Sequence, residues 1–447
     1  MHLRHLAIVG LLGLLPSVMG CSCPSSCRVP CTPSAPCAFD AVKQEELPPD
    51  FVQLVSASAE GVELAEMPAP DESFRPLEAA DAQCYAATNS NLANMVMLER
   101  HWAKIMVECD TRIVGENLCL FRDGFALRAS NMRNEAAAAA LETFYQLAGL
   151  EARGRVLSAG LAQAEQSLER IDRLEAQGLD VPEEIRRPEI AAEVQRLRDN
   201  LTQLDYQRLL LNGKLQKLVG CPIDETAFFW PLVDWSPDLA PVDADLEVQT
   251  GLEQRTDLRA LQLVLCRLEK VTLPVARALL GSADATLGAV EPREGLRHWL
   301  RCMKCTDAEV PIRCRQLALL YDEKEALAIG EIKSAVYAVT MHQERVALAT
   351  EAVLDRQAQL QELEGRRDVD NVVVFEMTRS RGDLLQAESD LIARLTDLKV
   401  ARIELKRARA DLARECGHAA VLCCEGPCCG ECVRCTKRPK SEGCRCK

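Results

Sequence analysis

The stretch LAGLEARGRVLSAGLAQAEQSLERI, residues 147–171, decides the fold. Apolar residues recur in it every seven positions on two rows, Leu150, Leu157, Ala164 and Ile171 on the first and Leu147, Leu161 and Leu168 on the second. This heptad spacing is typical of a helix that packs along another helix as a coiled coil. The stretch therefore predicts a long helix whose apolar stripe needs a partner helix.

The partner helix follows directly in the sequence. After the short segment Gly178-Leu179-Asp180-Val181-Pro182 the heptads resume, with Val194, Leu201 and Leu215 on one row and Leu197, Leu204, Leu211 and Leu218 on the other. Because the joining segment is short, the two helices are expected to fold back as an antiparallel pair between Asn134 and Gly220. The sequence thus predicts a helical hairpin.

The same plan returns later in the chain. A second pair of heptad rows holds Ile332, Val339, Val346, Val353 and Leu360, and then Leu384, Leu391, Leu398, Leu405 and Leu412. The tripeptide Arg100-His101-Trp102 recurs as Arg297-His298-Trp299, which we interpret as a trace of duplication. We therefore predict an all-α protein of two tandem long antiparallel coiled-coil hairpins, with Cys-rich termini and little or no β-structure.

The remaining sequence divides the chain into six segments. They are a signal peptide at 1–20, a flexible Cys- and Pro-rich tether at 21–75, a first repeat with its hairpin at 76–220, a belt with helices at 221–280, a connection with the second hairpin at 281–417, and a Cys-rich tail at 418–447. Further helices are expected over 76–108, 245–268 and 273–280. Irregular connections are expected over 109–130 and 281–312, and an irregular belt over 222–245, because these stretches lack a sustained apolar period.

The N-terminus predicts export. Residues 1–5 are weakly basic, residues 6–15 form an apolar run too short to span a bilayer, and Gly20 directly precedes Cys21. This arrangement resembles the signal of bacterial lipoproteins, whose cysteine is acylated and becomes the first mature residue. An ordinary secretory signal with an incidental cysteine is the alternative. No later apolar run reaches roughly 20 residues, so no transmembrane helix is expected.

Cysteine usage also indicates an oxidising compartment. The chain has 22 cysteines, which cluster towards its two ends. The spacing of His298, Cys302 and Cys305, with Cys314 nearby, is one that zinc uses, and Cys432 and Cys435 are spaced similarly. Neither set has a second ligand pair at the usual distance, so disulfide bonds are the favoured interpretation.

Charge and motifs exclude several function classes. The net charge of −14 argues against a general nucleic-acid binder. The sequence has no Gly-x-Ser-x-Gly, no phosphate-binding glycine loop and no His-Glu-x-x-His, and its many carboxylates are interpreted as solvated helix faces. We therefore expect no catalytic residues, no enzyme activity and no cofactor.

From 76 to 417 the sequence resembles the TolC family of outer-membrane efflux proteins. Three features carry the resemblance: the tandem hairpins, the arm that ends in KLQKLVGCP at 214–222, and GLEQRTDLRAL at 251–261, which is similar to the family's Ala-Leu-x-x-Arg-Pro-Asp-Leu helix start. Thr256 stands where the family usually has proline, and Gly251 where it has alanine. The order of the three features in the chain strengthens the match.

The resemblance implies a function and partners. It implies a homotrimer whose twelve helices form a hollow cylinder, lipid-anchored to the periplasmic side of the outer membrane, which moves small molecules or proteins with a periplasmic adaptor and an inner-membrane pump. It also implies that the hairpin tips bind the adaptor and that acidic residues near the second tip help to close the lumen. By position these are Gly178, Leu179, Gly365 and Val369 for the tips and Asp368 and Asp370 for the gate.

The chain departs from the family at its two connections. The family inserts membrane strands there, but residues 109–130 and 281–312 show no regular alternation of apolar and polar residues. We therefore predict that the chain alone makes no conducting β-barrel. Two alternatives to the trimeric duct stay open: a monomeric four-helix coiled-coil bundle, and a lipid-anchored structural or adaptor protein of the envelope without a pore.

Overall fold

The protein is built mainly from α-helices, and the computed structural model describes residues 74–109, 115–177, 187–223, 228–290, 296–366 and 373–422. The helices are α1 (Ala79–Thr88), α2 (Asn91–Cys109), α3 (Gly115–Ala176), α4 (Arg187–Val219), α5 (Ala244–Gln254), α6 (Thr256–Cys266), α7 (Leu273–Ala283), α8 (Leu296–Arg366), α9 (Val373–Ala408) and α10 (Leu412–Glu415). Two strands, β1 (Phe74–Glu78) and β2 (Phe228–Leu232), and a 3-10 turn (Lys270–Thr272) complete the described elements. The expected all-α class with little β-structure is confirmed.

Both expected hairpins are present, α3 with α4 and α8 with α9. Most heptad residues of the second hairpin are buried, namely Ile332, Val339, Val346 and Val353 of α8 and Leu391, Leu398 and Leu405 of α9, whereas Leu360 and Leu384 near the tip are half-buried. In the first hairpin Leu147, Leu150, Ile171, Val194, Leu197, Leu204 and Leu215 are buried, but Leu157, Leu161, Leu168, Leu201, Leu211 and Leu218 are only half-buried. The seam of the first hairpin is therefore closed less completely than that of the second.

The four long helices lie side by side in the order α4, α3, α9, α8. α3 packs against α4 and α9, α9 packs against α8, and α4 and α8 have no extensive contact within the described part of the chain. Gly149 faces Thr396 and Gly160 faces Leu385, so α3 and α9 run antiparallel. Both hairpin tips consequently lie at the same end of the row, and α4 and α8 form its edges. This open row differs from the closed four-helix bundle considered above.

Gly220 ends α4, as the sequence predicted. Its φ of 80° is the left-handed conformation that glycine favours, and the Cys221 N–H donates to the Gln216 carbonyl at 2.9 Å, which closes the helix end. Between α1 and α2, the Asn89 amide Nδ2 donates to the Val219 carbonyl at 2.6 Å. The end of α4 therefore abuts the beginning of α2.

The second half of the chain repeats this junction. α9 ends at Ala408 and is followed by Ala410, whose φ is 61°, and the Asp411 N–H donates to the Lys406 carbonyl at 3.0 Å. Arg255, which precedes α6, donates from Nη1 to the Ala408 carbonyl at 3.4 Å. The end of α9 thus abuts the beginning of α6, so α3 corresponds to α8, α4 to α9 and α2 to α6.

The two expected irregular connections are mostly helical, which corrects the sequence analysis. Residues 115–130 are the first turns of α3, and residues 296–312 are the first turns of α8. The former buries Leu120, Leu127 and Ser130 under elements on more than one side, so no single apolar period marks it. The latter has no glycine or proline before Pro311, which was the signal for a helix.

Three smaller expectations change, and a fourth is confirmed. The helix expected from 76 begins at Ala79, because residues 74–78 pair as β1 with the parallel strand β2 inside the expected belt. The helix expected over 245–268 is split at Arg255 into α5 and α6. The region from 273 does form a helix, α7, with proline in its first turn. The repeated tripeptides fall in α2 and α8, which are not equivalent helices, so they do not mark the duplication.

Candidate functional site

Of the sequence-predicted tip residues, the structure describes Gly365. Gly365 is exposed in the last turn of α8, and α9 begins at Val373. The other tip and gate candidates, and the candidate acylation site, lie outside the described residues: Gly178, Leu179, Asp368, Val369, Asp370 and Cys21. The structure therefore fixes the helices that lead into each tip.

One edge of the row is the outer face of α8, which carries exposed apolar side chains at intervals along its length. Large exposed side chains recur on the side opposite the buried heptads, namely Ile312, Leu319, Leu327, Tyr337 and Leu348. Leu319 is 58% exposed and Tyr337 is 75% exposed. With a rise of about 1.5 Å per residue, this stripe extends over roughly 50 Å. This recurrence makes the outer side of α8 a candidate interaction surface.

The opposite edge of the row is apolar as well. On α4 the side facing away from α3 exposes Tyr206, Leu209 and Leu210, and on α2, which continues the line of α4, the exposed residues are Leu92, Met95, Leu98 and Trp102. Even the largest of these side chains, that of Trp102, belongs to a residue that is 56% exposed. Both edges of the row thus expose apolar area that the single chain does not bury. Sequence periodicity alone did not find these edges, because it does not show which of two stripes faces the hairpin partner.

The motif GLEQRTDLRAL forms a junction of ion pairs between the repeats. Arg255 contacts Asp257 from Nη2 at 2.8 Å and Glu331 of α8 from Nη1 at 2.5 Å. Burial by itself would raise the pKa of the Asp257 carboxyl. The hydrogen bonds from Arg255 and from the Leu258 N–H outweigh burial and lower this pKa below its usual range. Thr256, in the position of the family's proline, lies in the first turn of α6 and is buried. Arg255 therefore ties the beginning of α6 to α8 and to the end of α9.

Several of the cysteines that the structure describes form disulfide bonds, and this bears on the candidate zinc site. Cys84 of α1 is bonded to Cys416, which is 332 positions away in sequence, with Cα atoms 5.2 Å apart, and Cys314 is also disulfide-bonded. A disulfide at Cys314 removes it as a zinc ligand. His298, Cys302 and Cys305 lie in the first turns of α8, and their side chains are outside those described. Elsewhere in the described part of the chain, no three His, Cys, Asp or Glu side chains cluster as metal ligands do.

None of the described helices has an apolar stretch long enough to cross a bilayer.

A groove of about 840 Å³ opens between α3, α4 and α9 on the tip side of the row. Its apolar lining includes Leu157, Gly160, Leu197 and Leu385. The groove lies where the first hairpin seam is only half closed.

Three solved structures share this fold. They are a membrane protein from Pseudomonas aeruginosa (14% identity, 76% of this chain and 92% of that chain covered, TM-score 0.54), the Campylobacter jejuni CmeC outer membrane channel (10%, 82% and 90%, 0.54) and the outer-membrane channel OprN (11%, 74% and 90%, 0.52). Neither a protein-family model nor a curated protein sequence matches the chain. The tandem hairpins and their antiparallel row therefore have the fold of TolC-type outer-membrane channels, as the sequence resemblance implied.

Proposed function

We propose that this protein is one subunit of a TolC-like duct in a bacterial outer membrane. The observation that carries the proposal is that the row α4, α3, α9, α8 has two apolar edges, each left exposed by the chain itself. A monomer in water would leave both edges unfavourably hydrated. Association of identical rows edge to edge removes both from water at once.

The internal repeat indicates how the edges meet. Within the chain, α3 of the first repeat packs against α9 of the second. Because α8 corresponds to α3 and α4 corresponds to α9, the equivalent contact between chains joins α8 of one copy to α4 of the next. Such a heterologous contact closes into a ring when the rotation at each contact is right. Three copies give the twelve-helix cylinder that the family resemblance implies.

The remaining parts of the proposal follow from the hairpin ends and the N-terminus. Both tips lie at one end of the row, where a periplasmic adaptor binds them and connects the duct to an inner-membrane pump. The groove beside α9 opens towards the same end and offers Leu157, Leu197 and Leu385 to a partner helix. Acylation at Cys21 holds the assembly on the periplasmic side of the outer membrane. The cargo is small molecules or proteins.

The test is the mass of the mature protein extracted in detergent. We expect a trimer for the parent chain and a monomer for the double variant Leu319→Glu with Tyr337→Glu, because each contact would then bury unpaired carboxylates. Ala347→Glu, on an exposed position of α8 away from the stripe, is the control and should stay trimeric. A monomeric parent would instead favour the envelope protein without a pore, and a trimeric double variant would show that the α8 stripe is not the contact.

A test for the anchor is independent of the mass measurement. Replacing Cys21 with serine should release the protein from membranes or block its maturation. A Cys21→Ser variant that fractionates and migrates like the parent would exclude acylation at this residue while leaving the duct proposal unaffected.

A further inference from the structure

Glu388 is an unusual buried acid in α9. Four carboxylates are buried among the described residues, and three of them pair with arginine: Asp123 with Arg267, Glu151 with Arg208, and Asp411 with Arg409. Glu388 is only 7% exposed and has no hydrogen bond or ion pair in the described part of the chain. Keeping a largely buried carboxylate ionised without a partner costs free energy. The charge state of Glu388 therefore affects the packing around it.

The position of Glu388 in the row explains why its charge matters. One turn before it and one turn after it lie Leu384, Leu385, Leu391 and Ile392, and all four pack in the core cluster that joins α3, α8 and α9. Leu385 contacts α3, where a Cβ added at Gly160 would lie 3.4 Å from its Cδ1. Glu388 is therefore at the seam between the two hairpins.

The packing between α3 and α9 changes along the helices at the level of Glu388. Towards the belt, α3 and α9 are in close contact, with Ala152 and Val156 buried in the shared cluster. Towards the tips, the groove of about 840 Å³ separates the hairpins, and Leu385 and Ser389, on either side of Glu388 in sequence, line it. Glu388 thus stands at the point where close packing gives way to an open groove.

We propose that Glu388 is a proton-operated latch of the seam between the two hairpins. With the carboxyl protonated, α3 and α9 stay packed down to Gly160. With the carboxyl ionised, water enters from the groove to solvate the charge, and the tip half of the first hairpin separates from α9. As regulation of the duct, this rests on the function proposed above; as a property of the seam, it does not.

The charged groups around the latch do not replace its missing partner. The groove holds Glu189, Glu193 and Arg196 of α4 and Glu376, Arg379 and Asp383 of α9, and its lining residues from α3 are uncharged. On α3 the charged residues nearest in sequence to Gly160 are Arg155 and Glu165, and Glu165 is paired with Arg198 at 2.7 Å. On α8, Arg345 and Arg356 line a separate furrow between α8 and α9. Arg196 is paired with Glu193 at 2.6 Å. Burial alone raises the pKa of the Glu388 carboxyl to about 7, so it titrates near neutral pH.

The test is hydrogen–deuterium exchange of the full chain at pH 6 and pH 8, corrected for the intrinsic pH dependence of exchange. In the parent, exchange within 157–168 and 380–392 should rise about tenfold, in proportion to the ionised fraction of a group with the cited pKa. Exchange within 332–346, in the closed part of α8, serves as an internal reference and should not change.

Three variants complete the experiment. Glu388→Gln and Glu388→Leu should both keep the seam closed at the two pH values, and the second variant guards against a specific defect of the amide. Asp383→Asn, an exposed acid on the same helix, should behave like the parent. A pH response that persists in both Glu388 variants would overturn the latch. The mass of the protein tests the duct separately, so a monomer with a Glu388-dependent response would reject the duct and keep the latch.

Discussion

Gly149 lies against Thr396 where α3 packs on α9, and substituting Gly149 tests the order of the helices in the row. A Cβ at Gly149 would lie 2.3 Å from Oγ1 and 3.2 Å from Cγ2 of Thr396. The Thr396 hydroxyl donates to the Ile392 carbonyl at 2.8 Å, so it moves only by losing that bond or by turning its methyl group into the contact. Overpacking of this kind costs about 1–3 kcal/mol.

A matched control lies in the same helix. Gly124 is also within α3, but a Cβ added there would meet nothing within 4 Å. Alanine is favoured over glycine in a helix interior by about 1 kcal/mol, and this gain applies at both positions. The free energies of unfolding of Gly124→Ala and Gly149→Ala should therefore differ by the overpacking cost alone, about 1–3 kcal/mol, with Gly124→Ala the more stable.

Denaturant unfolding followed by circular dichroism measures the difference. Adding Thr396→Ala to Gly149→Ala removes both clashing atoms and should recover most of the lost stability, which identifies the contact rather than the helix as the cause. If Gly149→Ala is as stable as Gly124→Ala, α3 and α9 do not pack as described, and the order of the row is wrong.

Three further predictions concern stability and are measured by the same unfolding experiment. Arg208→Leu leaves the buried Glu151 carboxylate unpaired and should cost about 3–5 kcal/mol, much of it recovered by adding Glu151→Leu; an unchanged midpoint would contradict the buried pair. Ala410→Gly relieves a left-handed residue at φ 61° and should stabilise the protein by about 1 kcal/mol, whereas destabilisation would show that the alanine methyl group is needed. Cys84→Ser removes the bond to Cys416 and should lower stability by about 2–5 kcal/mol under oxidising conditions, and a reductant should abolish the difference between the parent and this variant.

The hairpins were predictable because their sequence carries a strict period. Val339 and Val346 recur at seven residues and are buried against α9, so position in the heptad translated directly into position in the seam. The first turns of α3 were missed because that segment is buried on more than one side. Leu120 packs with α6, α7 and α8 while Ala126 and Ala129 are buried as well, which removes the single-stripe pattern that identifies a helix.

The candidate site was less accessible to sequence reasoning than the fold. Ile312 and Leu319 are also seven residues apart, but a spacing does not say whether its stripe faces the same chain or another one. That distinction needs the neighbouring helices to be placed first. The Cys84–Cys416 bond joins residues 332 positions apart, and no local pattern in the sequence connects them. Both features depend on long-range packing, which periodicity does not contain.

The two hairpins are closed to different extents, so one of them should move more easily than the other. In the second hairpin, Val353 is fully buried 13 residues before the end of α8, whereas in the first hairpin Leu161 is only half-buried 15 residues before the end of α3. Elements with fewer buried apolar contacts open at lower free energy. The first hairpin should therefore move against a second hairpin that stays rigid, and its hinge should lie where Gly149 and Gly160 weaken α3 beside α9. Ionisation of Glu388 would act at that hinge. It would separate the first hairpin, because the seam residues of that hairpin are less buried than those of the second.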